Sequence, residues 1–296
     1  MFSSFKELCS LAEEKSLKIS EVVLQTESEE TLVPKEILLS RMEKNLQVMR
    51  ESSIVREMCS ASGLSGKSGW TYSGAENKGE LLGSLSAKAM EYAMTIAEHN
   101  ACMGKIVAAP TAGSCGILPG VLLAVAEEKN ISDDALVLAL FNAAGIGAVI
   151  AERACLSGAE GGCQAECGSA SAMAASAICE LMGGTPRMCI NAAALTIKFV
   201  LGLVCDPVGG LVEVPCVKRN ASGAMNALTA AELSLCGVES YIPADEVVDA
   251  MSDVGKMMSY RLKETALGGL ASTEKAKNFA LEREGGCNAK CSCHKG

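Results

Sequence analysis

The sequence predicts an all-α fold, which is a tightly packed helical domain whose glycine-rich loops form the candidate functional site. Apolar residues recur at helical spacing, and neither the alternation of a half-buried strand nor a βαβ rhythm persists along the chain. Apolar residues make up 49% of the 296 residues but aromatic residues only 3%, so the core is expected to consist of small and aliphatic side chains that let helices approach closely. We expect one domain over residues 1–280 and a cysteine-rich tail over residues 281–296.

Two amphipathic helices are predicted in the N-terminal part of the chain. The first begins near Phe5, and the second runs from Leu38 to Met49 with apolar residues three or four positions apart. The polar run QTESEETLVP is expected to break the pattern between them. After a loop, SASGLSGKSGW, a helix rich in Ala and Met is expected from Lys78 to about Asn100.

The middle of the chain, from Cys102 to Arg219, carries little charge and is expected to form the centre of the fold. Ser132 is the predicted N-cap of the apolar run ALVLALFNAAGIGAVIA. At 17 residues this run is short for crossing a membrane, and Asn142 and two glycines interrupt it, which favours a helix buried in a soluble core. Two glycine-punctuated loops, AAPTAGSCGILPG and SGAEGGCQAECG, flank this helix. SAMAASAICELMGG and INAAALTIKFVLGLVC predict two further helices, the first ending at Gly183.

Helices are expected again after Asn220. The run ADEVVDAMSDVGKMMSYRLKE places apolar residues from Val247 to Leu262 on one helical face. The chain then ends in EREGGCNAKCSCHKG, whose three cysteines are Cys287, Cys291 and Cys293. Two readings of this tail stay open: a clamp for a metal or for a partner's thiol, or a disordered tail.

Charge and cysteine content narrow the functional classes. The net charge is −9 and no basic stripe is interleaved with aromatic residues, which argues against non-specific nucleic-acid binding. The N-terminus has charges within its first seven residues and no apolar segment followed by a cleavage site, so no signal peptide is predicted. We therefore expect a cytoplasmic, reducing environment, in which the fifteen cysteines are thiols rather than disulfides.

Several common catalytic designs lack their parts in this sequence. The chain has only two histidines, His99 in a predicted helix and His294 in the tail, so a histidine-dependent hydrolase is poorly supported. Ser4, Phe5 and Lys6 superficially match a pyridoxal-phosphate lysine motif, but no triple- or tetra-glycine phosphate loop accompanies them. The prediction is therefore no pyridoxal phosphate, and neither a dinucleotide fingerprint nor a P-loop is present.

Three cysteines stand out because Gly or Pro lies within two residues of each: Cys163 in GGCQAE, Cys205 in VCDPVGG and Cys216 in VPCVKRN. Such backbone fixes a thiol on a loop and lets the chain approach a bulky group. Thiolates select soft metals and iron–sulfur clusters. From the residues alone, three buried apolar cysteines are the favoured interpretation and a cluster site is the alternative.

Four segments in order, APTAGSCGILPGVL, SGAEGGCQAECGSASAMAA, CDPVGGLVEVPCVKRNA and YRLKETALGGLA, resemble the iron–sulfur-dependent L-serine dehydratases, as their alpha subunit. The resemblance covers about Met42 to Ala271. It implies an all-helical fold and a [4Fe–4S] cluster on Cys163, Cys205 and Cys216, with one iron left open as a Lewis acid. Cys155 and Cys167 do not fall on the family pattern and are read as core residues.

The resemblance also implies a reaction and a partner. The expected activity is dehydration and deamination of L-serine to pyruvate and ammonia, with a beta subunit that carries a Ser-Ser-His-Thr motif. A histidine of that partner is one candidate for the base, and Lys263 and Glu160 are the catalytic candidates in this chain, with Glu264 beside them. Thr111 and Ser114 are the expected contacts to the substrate carboxylate.

Three alternatives to serine dehydration stay open at this point. They are an L-cysteine desulfidase, a hydroxy-acid dehydratase and a non-catalytic iron–sulfur scaffold. In this family a C-terminal cysteine can also cap the open iron, but none of the three tail cysteines is the last residue of this chain.

Overall fold

The computed structural model describes residues 2–285. Within them the chain forms thirteen α-helices, and short 3₁₀ or π-helical turns of three to five residues lie between some of these helices. The described residues contain one isolated β-bridge and no strand, which confirms the all-α prediction. In chain order the helices are α1 (Phe5–Lys15), α2 (Ile19–Thr31), α3 (Lys35–Ser52), α4 (Ser68–Ser73), α5 (Gly83–Ala101), α6 (Ile117–Lys129), α7 (Asp133–Arg153), α8 (Gly158–Gly161), α9 (Ser169–Leu181), α10 (Pro186–Phe199), α11 (Cys216–Leu235), α12 (Ala244–Met257) and α13 (Glu274–Gly285).

Helix α9 lies at the centre of the fold. Every residue from Ser169 to Glu180 is buried, and the helix packs against α6, α7, α10 and α11. Its sequence, SASAMAASAICEL, has small side chains on all faces, which is what a helix surrounded by neighbours on every side requires. The prediction that the small-residue middle of the chain forms the centre is confirmed.

Helix α7 is the apolar helix that Ser132 was expected to cap. The Ser132 hydroxyl accepts a hydrogen bond from the N–H of Ala135, and the helix packs against α2, α3 and α9. It is long and apolar enough to cross a membrane by length and composition, yet 67% of its apolar window is buried inside the fold. The buried Asn142 is satisfied there by Glu180 at 2.8 Å and Ser176 at 2.7 Å.

Two glycines set the close crossing of α5 and α6. A Cβ on Gly116 would lie 2.1 Å from the carbonyl oxygen of Ala93, and one on Gly120 would lie 2.8 Å from the Ala93 nitrogen. Real Cβ atoms do not approach backbone this closely, so only glycine fits at these positions. The crossing fixes the loop just before α6, which is the PTAGSCG segment of the predicted site.

The predicted break in QTESEETLVP is wrong for most of that run, because α2 continues to Thr31. The N-terminal half of α2 buries Val22 and Leu24, and its polar second half lies on the surface, where Gln25 donates to Glu29 one turn later. Packing of the first turns of α2 against the core therefore stabilises the helix, and its polar second half stays helical.

Three other predicted boundaries shift. Helix α5 begins at Gly83 rather than Lys78, and α10 ends at Phe199, before the LGLVC that was included in its pattern. The predicted loop SGAEGGCQAECG is largely helical, because it contains α8 and a π-helical turn, Gln164–Gly168, that leads directly into α9. Helix α13 runs through Gly285, and the remaining residues of the predicted tail, with Cys287, Cys291, Cys293 and His294, lie outside the described residues.

Replacing Gly116 with alanine is expected to destabilise the protein by about 3 kcal/mol, because the new methyl group must push α5 away from α6. Denaturant unfolding followed by circular dichroism measures the change. Gly74→Ala is the matched control: Gly74 has right-handed helical dihedrals, a Cβ there would meet nothing closer than 3.6 Å, and a change below about 1 kcal/mol is expected. Equal effects of the two substitutions would contradict the close-crossing argument.

Candidate functional site

The structure brings Cys163, Cys205 and Cys216 together from three separate segments. Cys163 precedes the π-helical turn, Cys205 lies in the loop after α10, and Cys216 is the first residue of α11. Cys163 and Cys205 are buried and Cys216 is partly buried. Burial raises the pKa of Cys205 far above the usual range and that of Cys216 to about 12, and the charge of Cys163 adds to both shifts.

The π-helical turn places another cysteine, Cys167, beside Cys163. It places the Cys163 and Cys167 sulfurs 3.3 Å apart, and both side chains are buried. The hydrogen bond between them lowers the pKa of Cys163 and raises the pKa of Cys167. Burial opposes the lowering at Cys163, and the positive charge of Arg219 adds to it. Cys167 was read as a core residue; it is buried, and it also lies directly beside a candidate ligand.

Polar side chains one to four residues from the cysteines join their segments to one another. Gln164, which follows Cys163, is fully buried, accepts from the N–H of Gly202 at 2.8 Å, and donates to the carbonyl of Met251 at 3.0 Å. It thereby joins the Cys163 turn to the loop that leads to Cys205. The backbone repeats this link, because the Gln164 N–H donates to the Leu203 carbonyl at 3.0 Å.

Arg219 joins the Cys205 loop to the helix that begins at Cys216. Its guanidinium lies 2.9 Å from the carboxylate of Asp206 and donates a hydrogen bond to the Val204 carbonyl at 2.9 Å. Arg219 therefore contacts the residues on both sides of Cys205. Burial acts to lower the Arg219 pKa, but the charges of Cys163 and Asp206 outweigh it and the pKa is raised. The guanidinium therefore stays positive beside the thiols.

Asn220 joins the same helix to the PTAGSCG loop. Its side-chain amide donates to the Gly113 carbonyl at 2.8 Å and its oxygen accepts from the Gly116 N–H at 2.9 Å. Asn220 is fully buried, so both bonds are shielded from water.

The YRLKETALGGLA segment closes over Cys205 and Asp206. The Cys205 N–H donates to the Leu262 carbonyl at 2.8 Å, and the Cys205 carbonyl accepts from the Glu264 N–H at 2.9 Å. The Asp206 carboxylate accepts from the Leu270 N–H at 2.8 Å. This approach requires glycine at 269, where φ is +57° and a Cβ would lie 2.4 Å from the Asp206 carboxylate.

Glu166 is the functional candidate that sequence reasoning missed. Its carboxylate lies between two glycines: a Cβ on Gly158 would meet it at 2.6 Å and Cys205 Sγ at 3.0 Å, and a Cβ on Gly113 would meet it at 3.3 Å. Burial raises the pKa of Glu166, the hydrogen bond from Thr111 opposes the shift, and Glu264 adds to it. The available signal was its place in SGAEGGCQAE, three residues after Cys163 and therefore nearly one helical turn away.

The other predicted site residues are placed as follows. Thr111 lies beside Glu166, and its hydroxyl is 3.1 Å from that of the fully buried Ser114. Lys263 is partly buried, and its backbone forms the bridge to Cys205. Glu160 is exposed on α8, where its charge contributes to raising the pKa of Cys155. The substrate and catalytic roles of these four residues stay predictions.

The donor set fits an iron–sulfur cluster better than a single ion. Within residues 2–285, no three His, Cys, Asp or Glu side chains converge as the ligands of one metal ion would. A cluster makes a different demand, because each cysteine ligates its own iron and the sulfurs need not meet at one point. Three cysteines on rigid backbone, beside two glycines that leave room next to Cys205 and Glu166, match that demand.

The family model described as the serine dehydratase alpha chain matches residues 14–271. The chain belongs to this family. It is 46% identical over 290 residues to the probable L-serine dehydratase alpha chain of Bacillus subtilis, an alignment that covers 97% of this chain and 96% of that relative. It is 44% identical to the L-serine dehydratase alpha chain of Peptoniphilus asaccharolyticus, over 93% of this chain and 95% of the relative.

A third relative is longer than this chain. The L-serine dehydratase of Streptomyces coelicolor is 45% identical over 195 residues, which are 64% of this chain but only 43% of that protein. More than half of that relative therefore lies outside the matched region. The serine dehydratase resemblance read from the four motifs is confirmed by these matches.

Removing the Asp206 carboxylate is expected to lower the free energy of unfolding by about 3 kcal/mol, because it leaves the largely buried Arg219 guanidinium without its partner. The measurement is denaturant unfolding of the reduced chain in the presence of a chelator. Asp253→Ala serves as control, since Asp253 pairs with Lys256 on the surface at 3.0 Å and its loss is expected to change stability by less than about 1 kcal/mol. An Asp206→Ala effect as small as the control would show that the pair does not hold the segments together.

Proposed function

We propose that the chain is the alpha subunit of an L-serine ammonia-lyase that converts L-serine to pyruvate and ammonia with a [4Fe–4S] cluster held by Cys163, Cys205 and Cys216. The observation that carries the proposal is the convergence of these three thiols, of which Cys163 lies 42 residues before Cys205 and Cys205 lies 11 residues before Cys216. The relatives named L-serine dehydratase alpha chain, matched along nearly their whole length, support the reaction and the substrate.

Dehydration of serine has to remove a weakly acidic Cα proton and expel hydroxide from Cβ. A bound cluster with one open iron supplies a Lewis acid for the serine hydroxyl. The chain's own residues have three other tasks: to hold the substrate, to receive the proton and to limit water. The aminoacrylate that results tautomerises to an imine, and hydrolysis of the imine gives pyruvate and ammonia.

The PTAGSCG loop is suited to hold the substrate carboxylate. Thr111 presents a hydroxyl next to the Glu166 carboxylate, and the hydroxyl of the fully buried Ser114 lies 3.1 Å from the Thr111 hydroxyl. Asn220 fixes this loop by its two bonds to Gly113 and Gly116. A preorganised loop binds without first being ordered, which favours binding.

Glu166 is our candidate in this chain for the group that receives the Cα proton. Its carboxylate lies beside Cys205, since a Cβ on Gly158 would contact both groups, and the raised pKa makes it a stronger base than an exposed glutamate. Lys263 and the exposed Glu160 are the alternatives named from sequence. A histidine of a beta partner is the fourth, and the term alpha chain in the names of the relatives supports such a partner.

Cys163→Ala, Cys205→Ala and Cys216→Ala are each expected to lower bound iron, bound sulfide and pyruvate formation together, by about a hundredfold or more, because each removes one ligand. The protein is purified without oxygen after co-expression with its beta chain. Cys236→Ala is the control, since Cys236 is exposed at the end of α11 opposite to Cys216, and it should keep both iron and activity. Full activity in a colourless, iron-free wild-type protein would refute the cluster.

Glu166→Gln is expected to reduce kcat for serine by about 10²–10⁴-fold while iron content stays unchanged, because a proton acceptor is lost and no ligand is. Glu160→Gln and Lys263→Met are measured beside it. Loss of kcat only in Lys263→Met would assign the base to Lys263. Near-normal kcat in all three would place the base on the partner chain.

A further inference from the structure

A buried carboxylate beside the thiols has no role in the proposed chemistry. Glu213 lies three residues before Cys216 and is 5% exposed. Its carboxylate accepts hydrogen bonds from three serine hydroxyls that lie 148 to 153 residues earlier in the chain. The distances are 2.5 Å from Ser60, 2.7 and 2.8 Å from Ser62, and 2.7 Å from Ser65.

Three serine hydroxyls, rather than a cation, are the partners of the Glu213 carboxylate. None of the ion pairs found within residues 2–285 includes Glu213. A carboxylate taken out of water is strongly destabilised unless its oxygens accept hydrogen bonds, and bonds to an ionised acceptor are short and strong. The serine loop and Glu213 therefore hold each other in place.

The serine loop is ordered from its other end as well. Ser60 and Ser65 bond to each other, with the Ser60 N–H donating to the Ser65 carbonyl at 3.0 Å. The fully buried Glu98 of α5 then accepts three backbone N–H groups, from Gly66 at 3.1 Å, Ser68 at 2.7 Å and Gly69 at 3.0 Å. One carboxylate thus anchors the loop to the helical core, and the other connects it to the thiol site.

The connection to Cys216 runs through the backbone of Glu213. The Glu213 carbonyl accepts from the N–H of Val217 at 3.0 Å, so the same residue that holds the serines also forms the first turn of α11 around Cys216. Next to it, the Val214 carbonyl accepts from the Val208 N–H at 2.8 Å, which ties the turn back to the Cys205 loop. A displacement of the Glu213 side chain would move the helix start that carries Cys216.

We propose that Ser60–Ser65 and Glu213 form a serine clasp that positions Cys216 as a ligand. Glu213 is then a positioning residue: it acts through Cys216 and does not touch the substrate. The proposal deepens the cluster function and rests on it for the purpose of the clasp, whereas the mechanical link between clasp and thiol is tested in the metal-free chain.

Competitive maleimide labelling of the full-length, reduced, chelator-treated chain, read by peptide mass spectrometry, tests the link. Three cysteines report separately: the exposed Cys59 on the loop itself, the partly buried Cys216, and the fully buried Cys115. Ser62→Ala removes two of the contacts to Glu213, and Glu213→Gln keeps the shape but weakens them. Ser68→Ala is the matched control, because Ser68 lies three residues after the loop, at the start of α4, and its hydroxyl does not contact Glu213.

Ser62→Ala and Glu213→Gln are expected to raise the labelling rate of Cys216 about tenfold, which corresponds to about 1.4 kcal/mol, while Cys115 stays protected. Ser68→Ala should leave Cys216 unchanged. A rise at Cys59 without a rise at Cys216 would overturn the proposal, since the loop would then open without moving the ligand. A parallel rise at Cys115 in both variants would overturn it as well, because the contacts would then stabilise the whole fold and not the ligand.

A second measurement uses the cluster-loaded complex with the beta chain. Ser62→Ala is expected to lose iron to a chelator about tenfold faster than wild type and than Ser68→Ala. Equal rates would contradict the positioning role. If the wild-type complex binds no iron, the proposed function fails, and the labelling result still decides whether the clasp holds Cys216.

Discussion

The ion pair between the buried Asp206 and the largely buried Arg219 is the interaction on which the site depends. Cys205 and Cys216 come from different segments, and the guanidinium grips one of them through both the Asp206 carboxylate and the Val204 carbonyl. A buried pair of this kind contributes little net stability compared with apolar residues, but losing one partner is strongly destabilising. Its value here is that it specifies one arrangement of the two segments.

Other buried polar side chains around the site act in the same way without forming an ion pair. Gln164, Asn220 and Glu213 each lie one to four residues from a candidate ligand, and each is buried and bonded to a distant segment. Buried polar groups of this kind are satisfied only in one geometry, so they add specificity that a core of Ala, Val and Leu cannot give. The apolar helices thus provide the frame, and the buried polar side chains determine where the loops meet within it.

The sequence was sufficient for the fold class, for the central position of the small-residue segment and for the helix that Ser132 caps. Local signals determine these features: apolar spacing, glycine breaks and a capping residue. The continuation of α2 through Glu29 and the helical turns around Cys163 were not predicted, because packing against other helices overrides local polarity and glycine content there. The three cysteines could be selected by their glycine and proline neighbours, but Glu166 and the serine clasp could not. Their significance lies in contacts across 50 to 150 residues that no local pattern encodes.

Iron-57 Mössbauer spectroscopy of the anaerobic complex with its beta chain, recorded with and without L-serine, tests the central claim most directly. If three thiols hold the cluster and leave one iron to the substrate, serine should change the signal of about one quarter of the iron and leave the rest as it was. A spectrum in which serine alters none of the iron would contradict a substrate-binding open iron, as would a protein that contains no iron and still forms pyruvate.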